Sequence, residues 1–366
     1  MAKVAPNAGS AAGEAGAAEQ TDRAPSGAPW EHELRRVIDE EREVDGLGAD
    51  ELLALYRSLV LLRTYDERSL VYHRQGRIGT YAIFWNHEAM QAGSVHALAD
   101  EDWIFPSYRE SAIGLLRGMP ASTVLHWWRG HPAGWWNPAE YRVASICVPI
   151  GTHVPHAAGL AWGEKLKGTS TVAIAYFGDG ATSEGSFHEG ANLAAVMQAP
   201  LILFCNNNQW AISTPLEAQT RAEALVDKAV GYGMPGVRVD GGDVLAVYEA
   251  TREAVERARG GGGPTFIEAV TYRAAPHATA DDPRAYIDLG RVEEEKRNEC
   301  VGRYDAYLRR LGVLDDALAE EIKNEALETM RQGIAEAEAE PEPDPDLVFD
   351  NAYVLPPPNL REGWIT

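Results

Sequence analysis

Cysteine is nearly missing from the sequence. Three occur in 366 residues, Cys147, Cys205 and Cys300, at spacings that make neither a disulfide framework nor a thiolate metal cluster. Long apolar runs are missing too: no stretch approaches the ~18 uncharged apolar residues that a membrane helix needs. Positive charge is scarce, with 33 Lys and Arg against 55 Asp and Glu and a net charge of −22. Such a surface repels a phosphate backbone, so no nucleic-acid partner is expected, and an anionic ligand must be held by local donors. The amino terminus lacks the apolar core of a secretion signal. Glu14, Glu19 and Asp22 also set it apart from an acid-poor transit peptide. Reduced thiols and no export signal together predict a cytoplasmic protein.

What remains is an ordinary globular composition, 45% hydrophobic and 24% charged. At roughly 150 residues per domain, the length fits one large or two modest domains. Residues 1–29, rich in Ala, Gly and Pro, read as a disordered tail that buries too little apolar surface to offset its ordering entropy. Residues 30–348 read as the folded domain with helical extensions, and 349–366 as a C-terminal tail.

Apolar residues at helical spacing predict helices over 49–71 and about 88–99. Two prolines and two glycines break any regular element over 130–140. From there strands and helices alternate: helix 154–167, strand 171–177, helix 186–198, strand 200–205, strand 237–240, helix 244–259 and strand 266–272. An acidic helix covers 315–340. Continuous apolar strands at this interval predict an α/β fold, a doubly wound parallel sheet with helices on both faces. Cys147 and Cys205 read as core thiols in apolar strands. Trp127, Trp128, Trp135 and Trp136 are candidates for either core or subunit-contact surface.

Ligands of such a sheet bind at the carboxyl ends of its strands. After the strand ending at Phe177 stands Gly178-Asp179-Gly180-Ala181-Thr182-Ser183-Glu184-Gly185. After the strand ending at Cys205 stands Asn206-Asn207-Asn208-Gln209-Trp210. The glycines permit a tight turn and close backbone approach, and the following helix offers N–H groups to an anion. One carboxylate with amide and carbonyl oxygens is a hard, all-oxygen set suited to Mg²⁺. The combination reads as a Mg²⁺-diphosphate site. The third glycine stands too far along for a dinucleotide fingerprint, and a G-K-[ST] loop is absent. In isolation, Asp179 also reads as a simple helix cap.

Gly178-Asp179-Gly180, then 26 residues, then Asn207-Asn208 resembles the thiamine diphosphate motif. GDGATSEG, CNNNQWAISTP, VDGGDVLAVY and YRAAPHATADDP resemble, in order, the alpha subunit of the decarboxylating component of 2-oxo acid dehydrogenase complexes, over about residues 52–348. The resemblance implies that Asp179 and Asn208 bind Mg²⁺ through side chains and Trp210 through its carbonyl. It implies that Gly178, Gly180 and Ala181 approach thiamine diphosphate through the main chain, and that Tyr108 and Arg109 bind its diphosphate. Ile150 matches the apolar wedge between the cofactor's two rings. His277 matches the histidine at the site's entrance, which touches the diphosphate and assists transfer to a lipoyl group. It further implies a beta subunit in an α2β2 heterotetramer, a lipoyl-bearing acyltransferase core, and a small 2-oxo acid, pyruvate or branched-chain, as substrate. The alternatives are an acetoin-cleaving relative and a non-catalytic subunit keeping the fold. Asn86-His87 depart from the Gly-Gln or Gly-Glu that often precede Glu88 in such enzymes. Asn206 stands where animal branched-chain enzymes have Arg, and Ala278 where a phosphorylated serine occurs.

Overall fold

The computed structural model describes residues 34–347, apart from 41 and 43, together with 353–355. The tail expected over 1–29 lies outside the described residues, as does most of 349–366. The chain opens with α1 (Ala49–Arg74), α2 (Glu88–His96) and β1 (Trp103–Phe105). A 3-10 helix (Tyr108–Arg117), α3 (Ala121–Arg129) and the single turn α4 (Pro138–Tyr141) follow. Next come α5 (His153–Lys167), β2 (Ala173–Gly178), a 3-10 turn (Asp179–Ser183), α6 (Gly185–Met197) and β3 (Leu201–Asn207). A small hairpin, β4 (Trp210–Ala211) and β5 (Thr214–Pro215), leads to the short helices α7 (Leu216–Gln219) and α8 (Lys228–Tyr232). The last segments are β6 (Gly236–Asp240), α9 (Val244–Arg259), β7 (Thr265–Val270), α10 (Leu289–Arg297), α11 (Cys300–Arg310) and α12 (Asp316–Ala339).

Five strands form one parallel sheet in the order β1-β2-β3-β7-β6. Because side chains alternate across a strand, each strand feeds two cores. Ala173, Ala175 and Phe177 of β2, with Leu201, Leu203 and Cys205 of β3, pack under α5 and α6. Ile174, Tyr176, Ile202 and Phe204 face the other way, toward α2 and α9. Glycines set the closest helix approaches. A Cβ on Gly190 of α6 would stand 2.8 Å from the Pro155 nitrogen, and one on Gly93 of α2 would stand 2.6 Å from the Val244 carbonyl. A third core joins α1, α3, α11 and α12, built on Leu55, Leu59, Leu62, Val124, Leu125, Leu308 and Ile322. Asp243 ties these layers together. Its Oδ1 accepts from the Leu245 and Ala246 N–H groups at the start of α9, while Oδ2 accepts from Val37 and Ile38.

The doubly wound α/β arrangement matches the expectation. One local reading needs correction. Cys147 lies outside the strands, in the loop before α5, where its Sγ is 3.1 Å from the Pro149 carbonyl and 2.9 Å from Thr152 Oγ1. Pro149 and Gly151, the latter at φ +75°, turn the chain where the apolar letters read as strand. The tryptophans divide: Trp128 is core, whereas Trp135 is 77% exposed. No described helix is long and apolar enough to cross a membrane.

Candidate functional site

The carboxyl ends of β2 and β3 open into a cavity of about 260 Å³. Tyr108, Arg109, Ile150, Gly178, Asp179, Gly180, Ala181, Asn208, Trp210 and His277 all line it. Every site residue expected from the sequence therefore meets in one place, although they span Tyr108 to His277.

Each reaches the cavity through a distinct local device. Gly178 ends β2 and hands the chain to the 3-10 turn, so that Asp179 stands at the strand tip. A Cβ on Gly180 would fall 2.7 Å from that of Ala211, so the turn and the β4–β5 hairpin meet only because residue 180 lacks one. In β3 and just beyond it, Asn206 and Asn208 share the cavity side by the two-residue period. Asn207 points away and donates to Glu268 Oε1 at 2.7 Å.

Asp179 is 1% exposed and forms no ion pair among the described residues. Its Oδ2 accepts from Gln219 Nε2 at 2.7 Å. Burial pushes its carboxyl above the ordinary value, with Gln219 opposing. Asn208 Nδ2 meets His87 Nε2 at 3.1 Å, and its Oδ1 accepts from the Trp210 N–H at 3.2 Å. The Trp210 carbonyl accepts from Arg273 Nη1 at 3.2 Å and keeps a second lone pair. Asn206 donates to Glu110 Oε1 at 2.6 Å, while its own Oδ1 is buried with no protein partner. Among the described residues no group of three His, Cys, Asp or Glu converges as a metal site. Asp179, Asn208 and the Trp210 carbonyl thus offer a cation oxygen atoms, with Glu110 and Glu184 the other carboxyls lining the cavity.

The cationic wall is Arg109, itself buried. Its Nη1 donates to the Ile83 carbonyl, and Nη2 lies 3.1 Å from His277 Nδ1 and 3.2 Å from the His277 carbonyl. A guanidinium only donates, so His277 Nδ1 accepts and the proton sits on Nε2. Burial, with Arg109 and then Arg273 beside it, brings the His277 imidazole down to about 4, so it is neutral at pH 7. The Tyr108 ring stands edge-on to it at 6.0 Å. The loop carrying His277 is pinned at both ends. Asp281 Oδ2 accepts from the His277 N–H at 2.7 Å, and Thr279 exchanges two bonds with the Tyr81 backbone at 2.9 and 3.0 Å.

Several contributors went unassigned in the sequence. Arg273, fully buried, donates to carbonyls of Trp210, Ile212 and Ala275 and to the Tyr286 hydroxyl, fastening the hairpin to the His277 loop. Gln219, His87 and Glu110 act through contacts distant in sequence. Ile212 holds a left-handed φ of 56° at the cavity's edge, a costly conformation for a β-branched residue. With Val148 and Ile150 it is an exposed apolar side chain on this side of the fold.

Residues 56–346 match the family of dehydrogenase E1 components. The chain is 41% identical over 322 residues to the 3-methyl-2-oxobutanoate dehydrogenase subunit alpha of Mycobacterium tuberculosis, covering 88% of each chain. It is 38% identical over 339 residues to the pyruvate dehydrogenase E1 component subunit alpha of Staphylococcus epidermidis, covering 91% of this chain and 92% of that one. To the 2-oxoisovalerate dehydrogenase subunit alpha of Bacillus subtilis it is 37% identical over 319 residues, 84% of this chain and 97% of that one.

Proposed function

The chain belongs to the dehydrogenase E1 component family, as the alpha subunit of a 2-oxo acid dehydrogenase, and from that membership we propose how its residues divide the work. The family depends on thiamine diphosphate, and an alpha subunit implies a beta subunit. The observation that carries the assignment of this cavity is the buried Asp179 carboxyl, which forms no ion pair among the described residues, beside the unpartnered Asn206 Oδ1. A buried charge with no counter-ion is costly unless a ligand compensates it. The residues fit a Mg²⁺-diphosphate group: Asp179, Asn208 Oδ1 and the Trp210 carbonyl hold the cation. Tyr108, Arg109 and the backbone at Gly178, Gly180 and Ala181 hold the diphosphate.

When bound, thiamine diphosphate supplies a carbanion nucleophile and an electron sink. Ile150 would present an apolar side chain to the cofactor's rings. His277, neutral with its proton on Nε2, offers a donor at the site where acyl transfer to a lipoyl group is completed. The cofactor's aminopyrimidine requires a carboxylic acid partner in an apolar setting. Of the other carboxyls lining this cavity, Glu110 is already engaged by Ser107 and Asn206 and Glu184 is exposed. As in the resembled family, we take that acid from the beta subunit, with the cofactor between the two chains of an α2β2 heterotetramer docked to a lipoyl-bearing acyltransferase core. The test is decarboxylation by the assembled complex of pyruvate, 2-oxoisovalerate and acetoin, read with an artificial electron acceptor. Turnover of a 2-oxo acid is expected. Turnover of acetoin alone, or of none of the three, overturns the reading.

A further inference from the structure

Residue 87 is a fully buried histidine, 0% exposed, at the start of α2 and outside the residues so far given a role in binding. Its surroundings leave it one hydrogen-bonding arrangement. Nδ1 lies 3.1 Å from the Trp85 carbonyl oxygen, which can only accept, so Nδ1 carries the proton. Nε2 is then an acceptor, and it lies 3.1 Å from the Asn208 side-chain amide. Only the NH2 end of that amide can donate to it. The orientation of the Asn208 side chain follows: Nδ2 toward His87, and Oδ1 on the opposite side, where it accepts from the Trp210 N–H at 3.2 Å in a residue that lines the cavity. A reversed amide would set two acceptors against each other at His87 and turn a donor toward the cation. Each mismatch would leave a buried polar group without its partner.

His87 is itself held in place. Its own N–H donates to the Phe84 carbonyl at 2.8 Å. Asn86, at φ 66°, accepts from the Cys300 N–H at 2.9 Å and donates to Thr271. The two residues before Glu88 thus join the start of α2 to the start of α11, to the end of β7 and to Asn208. We infer that His87 is a positioning residue for the cation site, holding the Asn208 amide so that its oxygen, not its nitrogen, is presented to Mg²⁺. The inference rests on the reading that Asp179 and Asn208 hold that ion. Partners that orient a metal ligand typically change metal affinity by about 10–100-fold when lost.

The experiment compares two substitutions in the assembled alpha/beta complex. His87→Leu keeps an apolar side chain of related size but has no acceptor, whereas His87→Gln restores one through its amide oxygen. Calorimetric titration with MgCl2 at saturating thiamine diphosphate gives the half-saturating Mg²⁺ concentration, and thermal unfolding without cofactor is recorded beside it. The expected result is a rise of about 10–100-fold for His87→Leu and recovery to within about threefold of the native value for His87→Gln, with the cofactor-free unfolding midpoints of the two variants alike. Asp179→Asn is measured in parallel. If Asp179→Asn weakens Mg²⁺ while His87→Leu does not, or while Leu and Gln weaken it equally, the role of His87 is refuted and the cation site stands. If Asp179→Asn leaves Mg²⁺ affinity unchanged, the site assignment itself falls, and the role of His87 with it. Should the leucine complex fail to assemble, a crystal structure of the native complex with Mg²⁺ and thiamine diphosphate decides. His87 Nε2 is expected within hydrogen-bond reach of the Asn208 amide atom that does not meet Mg²⁺, and a His87 bonded elsewhere overturns the inference.

Discussion

Gly180→Ala gives a quantitative test of how the Asp179 turn and the β4–β5 hairpin fit together. The new Cβ would lie 2.7 Å from Ala211 Cβ and 3.6 Å from its Cα. Carbon atoms settle at about 3.5–4.0 Å, so the hairpin must withdraw by roughly 0.8–1.3 Å. It is not free to do so, because Arg273 holds the carbonyls of Trp210 and Ile212 on either side of Ala211. Overpacking of this kind costs about 1–3 kcal/mol. Expressed in cofactor binding, where 1.4 kcal/mol is tenfold, the loss is roughly 5–150-fold in Mg²⁺-dependent affinity. Ala211→Gly removes the opposing Cβ at a cost of about 0.5–1 kcal/mol on its own. The double variant should therefore recover most of the loss, giving a coupling of at least about 1 kcal/mol in a double-mutant cycle. Calorimetric titration of the four proteins with thiamine diphosphate at fixed Mg²⁺ measures it. Additive effects, with no recovery in the double variant, would refute the reasoning.

Asp179→Asn should lower Mg²⁺ affinity and at the same time raise the cofactor-free unfolding midpoint, since burial already disfavours this carboxylate and the amide still accepts from Gln219; a lowered midpoint contradicts this. His277, brought down to about 4 from an ordinary 6.5, takes up its proton in the unfolded chain first. It therefore contributes stability above pH 6.5 that is lost as pH falls toward 4. Buried carboxyls such as Asp179 and Glu110 act in the opposite sense, so the readout is the difference between native protein and His277→Gln, about 1–2 kcal/mol over that window once solvent screening of the partly exposed ring reduces the full conversion of about 3.4 kcal/mol; parallel pH-stability curves would count against it. Asp243→Ala orphans four buried N–H groups and should cost roughly 3–5 kcal/mol by urea unfolding at unchanged slope, with a loss below about 1 kcal/mol contradicting it.

The half of the fold from α5 onward was legible because its strands are buried on both faces and read as unbroken apolar runs between amphipathic helices. The helix expected over 244–259 has the bounds Val244–Arg259. Between 97 and 130 the signal fails. β1 has only three residues, and in the 3-10 helix from Tyr108 to Arg117 every residue from Arg109 to Leu115 is buried, polar ones included. α10 is dominated by charged residues, and α10 and α11 take their places through capping by Asp288 and Glu299. At the site, the motif residues were legible because each is tied to a strand end or turn by local chemistry. Gln219, Arg273 and His87 were not, because what they do depends on partners 40 to 121 positions away. Cys147 shows the reverse error: apolar letters suggested a strand, and a proline and a left-handed glycine made a loop.

The central claim is that this chain carries the metal-and-diphosphate half of a site that a second chain completes. Purified alone, mixed with its beta partner, and compared in decarboxylation of pyruvate and 2-oxoisovalerate at saturating Mg²⁺ and thiamine diphosphate, it should turn over a 2-oxo acid only in the mixture, at a mass in solution matching α2β2. Turnover by the lone chain at the rate of the mixture would contradict the account.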